Sequence, residues 1–335
     1  MLRGGARLSG RGPGVEAGRV ARPVPPAPGS PRQRRRAVEQ VDRSAVSAVW
    51  RDHRRWSWAA GTAKRSIAFW RTAALASAVG GAVLTTAAVQ VGLNGAPGRA
   101  LATAGAVALA LVPVVRVTRL GRARIEAWTR VRSASEALKA QVYLFLTGAQ
   151  PYDGPDRGRR LRTFAAAVAD DVADLAGMTL GAPDPDTPVP AVDDVDHYLT
   201  HRLRPQIAGY YRAGAARQQR RLNRFRTAEF GIAAAGAALG AVAATTGAAG
   251  VGVWVSAVTV VGASITAHIS AARYEHLVVS YLATARRLCA LLEEWEAAPD
   301  RSPAAAAAFV RACEEAISRE NESWLAAWTH DREPG

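Results

Sequence analysis

Residues 230–272 read FGIAAAGAALGAVAATTGAAGVGVWVSAVTVVGASITAHISAA. They contain no Lys, Arg, Asp or Glu, and His268 is the one formally titratable side chain among them. A bilayer core of about 30 Å is crossed by about 20 apolar helical residues. Forty-three residues are too many for one crossing and suit two, with the glycine-rich run Gly247-Ala-Ala-Gly250-Val-Gly252 as the turn. The stretch predicts a helical hairpin with spans near 230–247 and 252–271. A soluble core helix has no reason to avoid charge for so long.

A second uncharged stretch runs from Thr72 to Gly98 and closes on the turn signal Asn94-Gly95-Ala96-Pro97-Gly98. After Arg99, residues Ala100 to Val115 are again uncharged and end at Arg116. This predicts a first hairpin with spans near 70–92 and 99–117. The two hairpins resemble each other: Phe69-Trp-Arg71-Thr72-Ala73 aligns with Arg224-Phe-Arg226-Thr227-Ala228 at an offset of 155. Each hairpin follows a basic helix and precedes an amphipathic one, the order a duplication leaves.

The formal net charge is +15, and its distribution decides its meaning. Arg51, Arg54, Arg55, Lys64, Arg65 and Arg71 precede the first span. Arg116, Arg119, Arg122, Arg124 and Arg130 follow the second. Arg212, Arg217, Arg220, Arg221, Arg224 and Arg226 precede the third. The hairpin turns carry only Arg99. The positive-inside rule then places both termini and the central segment in the cytoplasm. Arg71, Arg116, Arg226 and Arg273 stand at span ends, where arginine snorkels to the interface.

Outside the spans the pattern is helical throughout. Ile125, Trp128, Val131, Leu138, Val142 and Phe145 recur at three- and four-residue steps, as do Leu161, Phe164, Val168, Val172 and Leu175. A long helix is predicted from Val192, capped by Asp193 or Asp194 and kinked at Pro205. Leu277, Tyr281, Leu288, Leu292 and Trp295 form another stripe, and a last helix starts after Asp300-Arg-Ser-Pro303. The fold class is all-α: a helical bundle with two transmembrane hairpins. The organisation reads as a basic tail (1–36), a first module (37–180), a proline-rich linker (181–191), a second module (192–330) and a short tail (331–335). The first 36 residues hold nine arginines, six prolines and one acid and read as disordered. Their arginine run suits an anionic leaflet or nucleic acid, and the simpler reading is the leaflet. No signal peptide is evident.

Chemistry has little to stand on. Cys289 and Cys313 fit no metal or redox spacing and read as small thiols in a reducing compartment. His197-x-x-x-His201 puts two imidazoles on one helical face without a further placed ligand beyond Asp193, Asp194 and Asp196, so no metal is expected. No nucleophilic triad or phosphate-binding glycine loop is recognisable, and neither enzyme activity nor a cofactor is expected. Polar groups at membrane depth face a bundle interior or a water-filled path. Thr245, Thr246, Thr259, Thr266 and His268 are therefore candidates to line a pore. The same hydroxyls also serve as helix–helix glue by bonding to backbone carbonyls, and the sequence leaves both readings open. Gly236-x-x-x-Gly240 permits close helix packing.

Tyr198-Leu-x-x-Arg202-Leu-x-Pro205-Gln206-Ile207-x-x-Tyr210-Tyr211-x-Ala213 leads through an arginine-rich helix into the second hairpin. Tyr274-x-x-Leu277, Tyr281, Glu293-Glu294-Trp295 and Cys313-Glu314-x-x-Ile317-x-x-Glu320-Asn321-x-x-Trp324-x-x-x-Trp328 follow it. This pattern resembles the SLATT domains over about 190–330 and more loosely over about 40–180, as in a tandem protein. The resemblance implies a bacterial two-span membrane module working beside nucleotide second-messenger or SLOG sensor systems, in which an oligomer opens a pore in the inner membrane during conflict. The implied partners are the lipid bilayer, further copies of the chain and a cytoplasmic sensor; nucleic acid is not expected. The alternative is a non-conducting membrane scaffold whose cytoplasmic helices bind a partner.

Overall fold

The computed structural model describes residues 31–183 and 188–329. By packing, the chain divides into residues 1–40, of which 31–40 are the first turns of helix α1, and a body from Val41 onward. Residues 1–30 and 331–335 of the expected tails, and 184–187 of the linker, lie outside the described residues. Residues 31–36, read from composition as unable to pack, are instead helical. Gln and Arg are good helix formers, and Pro31 starts the helix where no N–H is needed.

The described residues form helices and turns without a strand. α1 (Pro31–Val91), α2 (Ala96–Arg119) and α3 (Arg122–Leu146) are followed by α4 (Arg157–Asp171) and a 3₁₀ turn (Ala173–Thr179). α5 (Val195–Tyr198) widens into two π-helical stretches, Leu199–Leu203 and Gln206–Arg212, and continues as α6 (Ala213–Thr246). α7 (Ala249–Ala272), α8 (Tyr274–Ala297) and α9 (Pro303–Thr329) complete the chain. Glycines at positive φ set both hairpin turns: Gly92 (φ 95°) after α1 and Gly247 (φ 61°) after α6. Only a residue without Cβ takes that conformation without strain. Asp194 caps α5 by accepting from the His197 N–H at 2.8 Å.

Pro205 replaces the expected kink with a change of helix type. It has no N–H to offer four residues back, and its ring crowds that carbonyl. The Arg204 N–H instead reaches Leu199 O, five residues back. In this wider winding, residues four and five apart share a face. Tyr198, Arg202, Gln206, Ile207, Tyr211 and Ala215 are all buried as a result.

Four helical stretches are long and apolar enough to cross a membrane: Asp42–Val91, Ala96–Arg119, Val195–Thr246 and Gly250–Ala297. The most apolar 18 residues of the second and third are 6 % and 0 % buried. Val107, Leu111, Val114, Val117, Phe230 and Val242 all point outward. A continuous apolar surface of this kind is a liability in water and at home in hydrocarbon. This is a membrane protein.

Away from the spans, one core joins α1, α3, the π-helical segment, α8 and α9. Val49, Val131, Leu138, Phe145, Leu203, Leu288 and Ile317 lie in it, with Trp50, Trp56, Trp128 and Trp295. Each such side chain contributes roughly 1.5–3 kcal/mol through burial. α3 packs along α9, and α8 along both α6 and α9. Helices from both sides of the proline-rich segment therefore share a core.

Candidate functional site

The hydroxyls of the second hairpin lie on its outer surface. Thr245, Thr246, Thr259 and Thr266 are all exposed. Each bonds back to a carbonyl one turn earlier: Thr245 to Ala241 at 3.0 Å, Thr246 to Val242 at 2.7 Å, Thr259 to Val255 at 2.9 Å and Thr266 to Gly262 at 3.2 Å. Thr266 also donates to the Glu229 carboxylate. Glu229, one residue before the uncharged stretch, was not among the residues singled out from sequence. His268 does not join the threonines. Its ring lies 4.8 Å from that of Phe225, and its Nε2 is 3.3 Å from the Tyr274 hydroxyl. Among the described residues the four threonines and His268 make no hydrogen bond to one another.

The span-end arginines occupy distinct settings. Arg226 pairs with Glu275 at the start of α8. Arg273 links α7 to α8 with φ 50°, a left-handed conformation that side chains rarely adopt. Arg71 and Arg116 line a cavity with His268 and Arg273. A Cβ added at Gly236 would meet Val258 Cγ1 at 2.9 Å, whereas nothing lies within 4 Å of one at Gly240. In the first hairpin, which carried no such motif, the approach is closer. A Cβ at Gly81 would meet Leu109 Cγ at 2.7 Å, and one at Gly105 would meet Thr85 Cγ2 at 2.6 Å.

The densest polar chemistry lies in the extramembrane core. Arg202 and Glu314, each 2 % exposed, form a two-point ion pair: Nε to Oε1 and Nη2 to Oε2, both 2.9 Å. Tyr198 donates its hydroxyl to Glu314 Oε1 at 2.8 Å, and Gln206 accepts from Arg202 Nη1 at 3.2 Å. The Arg202 guanidinium also lies 4.9 Å from the centre of the Tyr143 ring. Alongside, Arg132 donates to the Tyr210 hydroxyl at 2.8 Å and lies 3.5 Å from Glu320. Burial opposes ionisation of Glu136, but the charges of Lys139, Arg202 and Arg132 outweigh it and hold the carboxyl below its ordinary value. Arg132, Lys139 and Arg202 thus face Glu136, Glu314 and Glu320, three charges against three. His53 closes one end, with Nδ1 at 2.8 Å from Ser135 O. Burial, aided by the Lys139 charge, pushes its imidazole down to about 4.

This network escaped the sequence reading. Arg202, Glu314 and Glu320 were visible as members of a pattern, but nothing in the chain pairs residues 112 apart. One local signal existed: Glu314 sits beside Cys313 and one turn before Ile317, on a face otherwise apolar. Elsewhere, Asp193, Asp194 and His197 converge within 4.8 Å. All three are exposed, Asp193 raises the His197 imidazole above its ordinary value, and Asp194 already serves as the helix cap. Burial pushes the Cys313 thiol up to about 12, which makes it inert near neutrality.

Residues 198–324 match the family model described as SMODS and SLOG-associating 2TM effector domain 1. Residues 54–159 match a second model, described only as a protein of unknown function, DUF4231. No curated protein and no solved structure matches. The first match opens on Tyr198, the residue that binds Glu314. It takes in the π-helical stretches, the second hairpin, α8 and most of α9. Residues 198–324 of this chain are a SMODS and SLOG-associating 2TM effector domain, a SLATT domain.

Proposed function

We propose that the protein is a bacterial inner-membrane effector that assembles into a homo-oligomer and opens an ion path during a conflict or stress response. The carrying observation is the outward exposure of Thr245, Thr246, Thr259 and Thr266, with Glu229 beside Thr266. Back-bonding to a carbonyl uses each hydroxyl's proton but leaves its lone pairs, and a carboxylate at a membrane edge is costly in lipid. A neighbouring copy, or water between copies, relieves both. In this reading the path lies between chains, Glu229 gives its mouth a preference for cations, and no catalytic step is involved.

The arginine distribution supports cytoplasmic termini. The two long helices end 155 residues apart, at Val91 and Thr246, and the helices after them start 153 and 152 residues apart. This parallel supports two modules of common origin, about 37–180 and 192–330, each with one hairpin. The signal enters through the extramembrane core, from a cytoplasmic sensor.

The test is ion flux from dye-loaded liposomes holding the purified full-length protein. Thr259→Leu or Thr266→Leu is expected to lower flux about fivefold, the equivalent of one lost polar contact of about 1 kcal/mol. Flux unchanged by either substitution overturns the assigned lining. If neither liposomes nor expressing cells conduct, the scaffold reading takes over, which the complete back-bonding of the hydroxyls also supports.

A further inference from the structure

A cavity of about 610 Å³ opens where the membrane meets the extramembrane core. Lys64 and Arg71 reach it from α1, Arg132 from α3, and Arg221 and Arg224 from α6. No Asp or Glu is among the described residues that line it. Arg132 is engaged by Tyr210 and Glu320, but Lys64, Arg221 and Arg224 have no acidic partner among the described residues. Desolvation, followed by the charges of Arg132, Arg217 and Arg221, holds the Lys64 ammonium below its ordinary value. Like charges gathered without a counter-charge are stabilised by a bound anion. A second observation points the same way: the buried amide oxygen of Gln218, also in the lining, has no hydrogen-bond partner among the described residues. It is an acceptor awaiting a hydroxyl.

The rest of the wall is apolar, with Ile67, Trp128, Phe225 and Leu277. A neighbouring cavity of about 470 Å³ shares Arg71 and His268, adds Arg116 and Arg273, and has an apolar wall of Ala74, Leu75, Ala78, Ala267 and Ala271. A free phosphate compound has no use for this apolar wall. An acyl chain does. We propose that the cavity between the two hairpins is a binding site for an anionic phospholipid, with its phosphate held by Lys64, Arg221 and Arg224 and a headgroup hydroxyl on Gln218. Basic pockets between spanning helices are suited to such headgroups. The assignment needs the spans to lie in a bilayer and is independent of conduction.

The test uses native mass spectrometry of the full-length protein in detergent, offered equal amounts of phosphatidylglycerol and phosphatidylcholine. The protein is expected to retain phosphatidylglycerol at least about tenfold better, a difference of about 1.4 kcal/mol. The triple variant Lys64→Gln, Arg221→Gln, Arg224→Gln should lose that preference. A control with the same charge removed from exposed extramembrane positions, Arg162→Gln, Arg286→Gln, Arg311→Gln, should keep it. Because Arg224 is exposed, Arg224→Gln alone folds and should reduce the preference several-fold. Equal retention of both lipids, or a preference that survives the triple variant, overturns the proposal. Pyrophosphate binding at this site without lipid preference assigns it to a soluble phosphate and overturns the lipid reading.

Discussion

Arg202 and Glu314 illustrate how a buried charge becomes indispensable once it exists. Removing both charges from water costs several kcal/mol, and their mutual attraction plus the Tyr198 and Gln206 hydrogen bonds offset that cost. Deleting one partner leaves the other charge stranded. Glu314→Ala is expected to lose about 3–5 kcal/mol of stability, and Glu314→Gln less, because the amide still accepts from Tyr198. Thermal unfolding followed by the fluorescence of buried Trp50, Trp56, Trp128 and Trp295 reads both; an unchanged midpoint for Glu314→Ala would falsify the buried bridge. His53 sets a pH dependence of definite sign. Its imidazole titrates at about 4 in the folded chain and near 6.5 when unfolded. The unfolded chain binds the proton more readily, so stability is complete above about pH 6.5 and falls as pH drops toward 4, by about 3 kcal/mol for such a shift. His53→Gln should flatten that slope between pH 6.5 and 4. None of this was legible in the chain, since a charged residue on a helix does not reveal which neighbour will cover it.

At the level of elements the sequence is far more explicit. Absence of charge over 230–272 and 72–98 places both hairpins to within a few residues, because length and apolarity alone decide what a bilayer accepts. Packing inside the hairpins is less legible. Gly236-x-x-x-Gly240 catches the eye, yet the helices approach more closely at Gly105, where a Cβ would press on the Thr85 side chain and backbone N at 2.6 and 2.9 Å. Gly105→Val is expected to cost about 1–3 kcal/mol by overpacking. Gly80→Ala, on the same hairpin with nothing within 4 Å, should be neutral. Comparing the two melting midpoints in detergent tests this directly; equal midpoints sink it. The π-helical stretches could be suspected from Pro205 but not distinguished from a kink, because a proline states only that a bond is missing, not how the helix rearranges.

For the whole molecule, the basic flanks and uncharged spans yield the membrane class, and a pattern of aromatic and charged residues yields the SLATT domain over 198–324. What they conceal is that α3 and α9, from the two halves of the chain, pack into one core. The proposed topology makes a sharp expectation. In intact cells, Asn94→Cys at the first hairpin turn should react with a membrane-impermeant thiol reagent, while Arg301→Cys before α9 should not. The reverse pattern would invert the assignment of cytoplasmic and outer faces.

Helix α1 carries a mechanical consequence. From Asp42 to Val91 it is a single unbroken helix, about 75 Å long at 1.5 Å per residue. Its near end holds Trp50 and His53 in the extramembrane core, and its far end carries Gly81 and Thr85 against α2. A helix without a break is a drive shaft: its backbone runs from His53 to Thr85 without a joint. The equivalent shaft of the second module is different, for its winding loosens at Leu199–Leu203 and again at Gln206–Arg212. One shaft keeps a single winding throughout and the other changes its winding twice, so the shared core is joined to its two hairpins in two different ways.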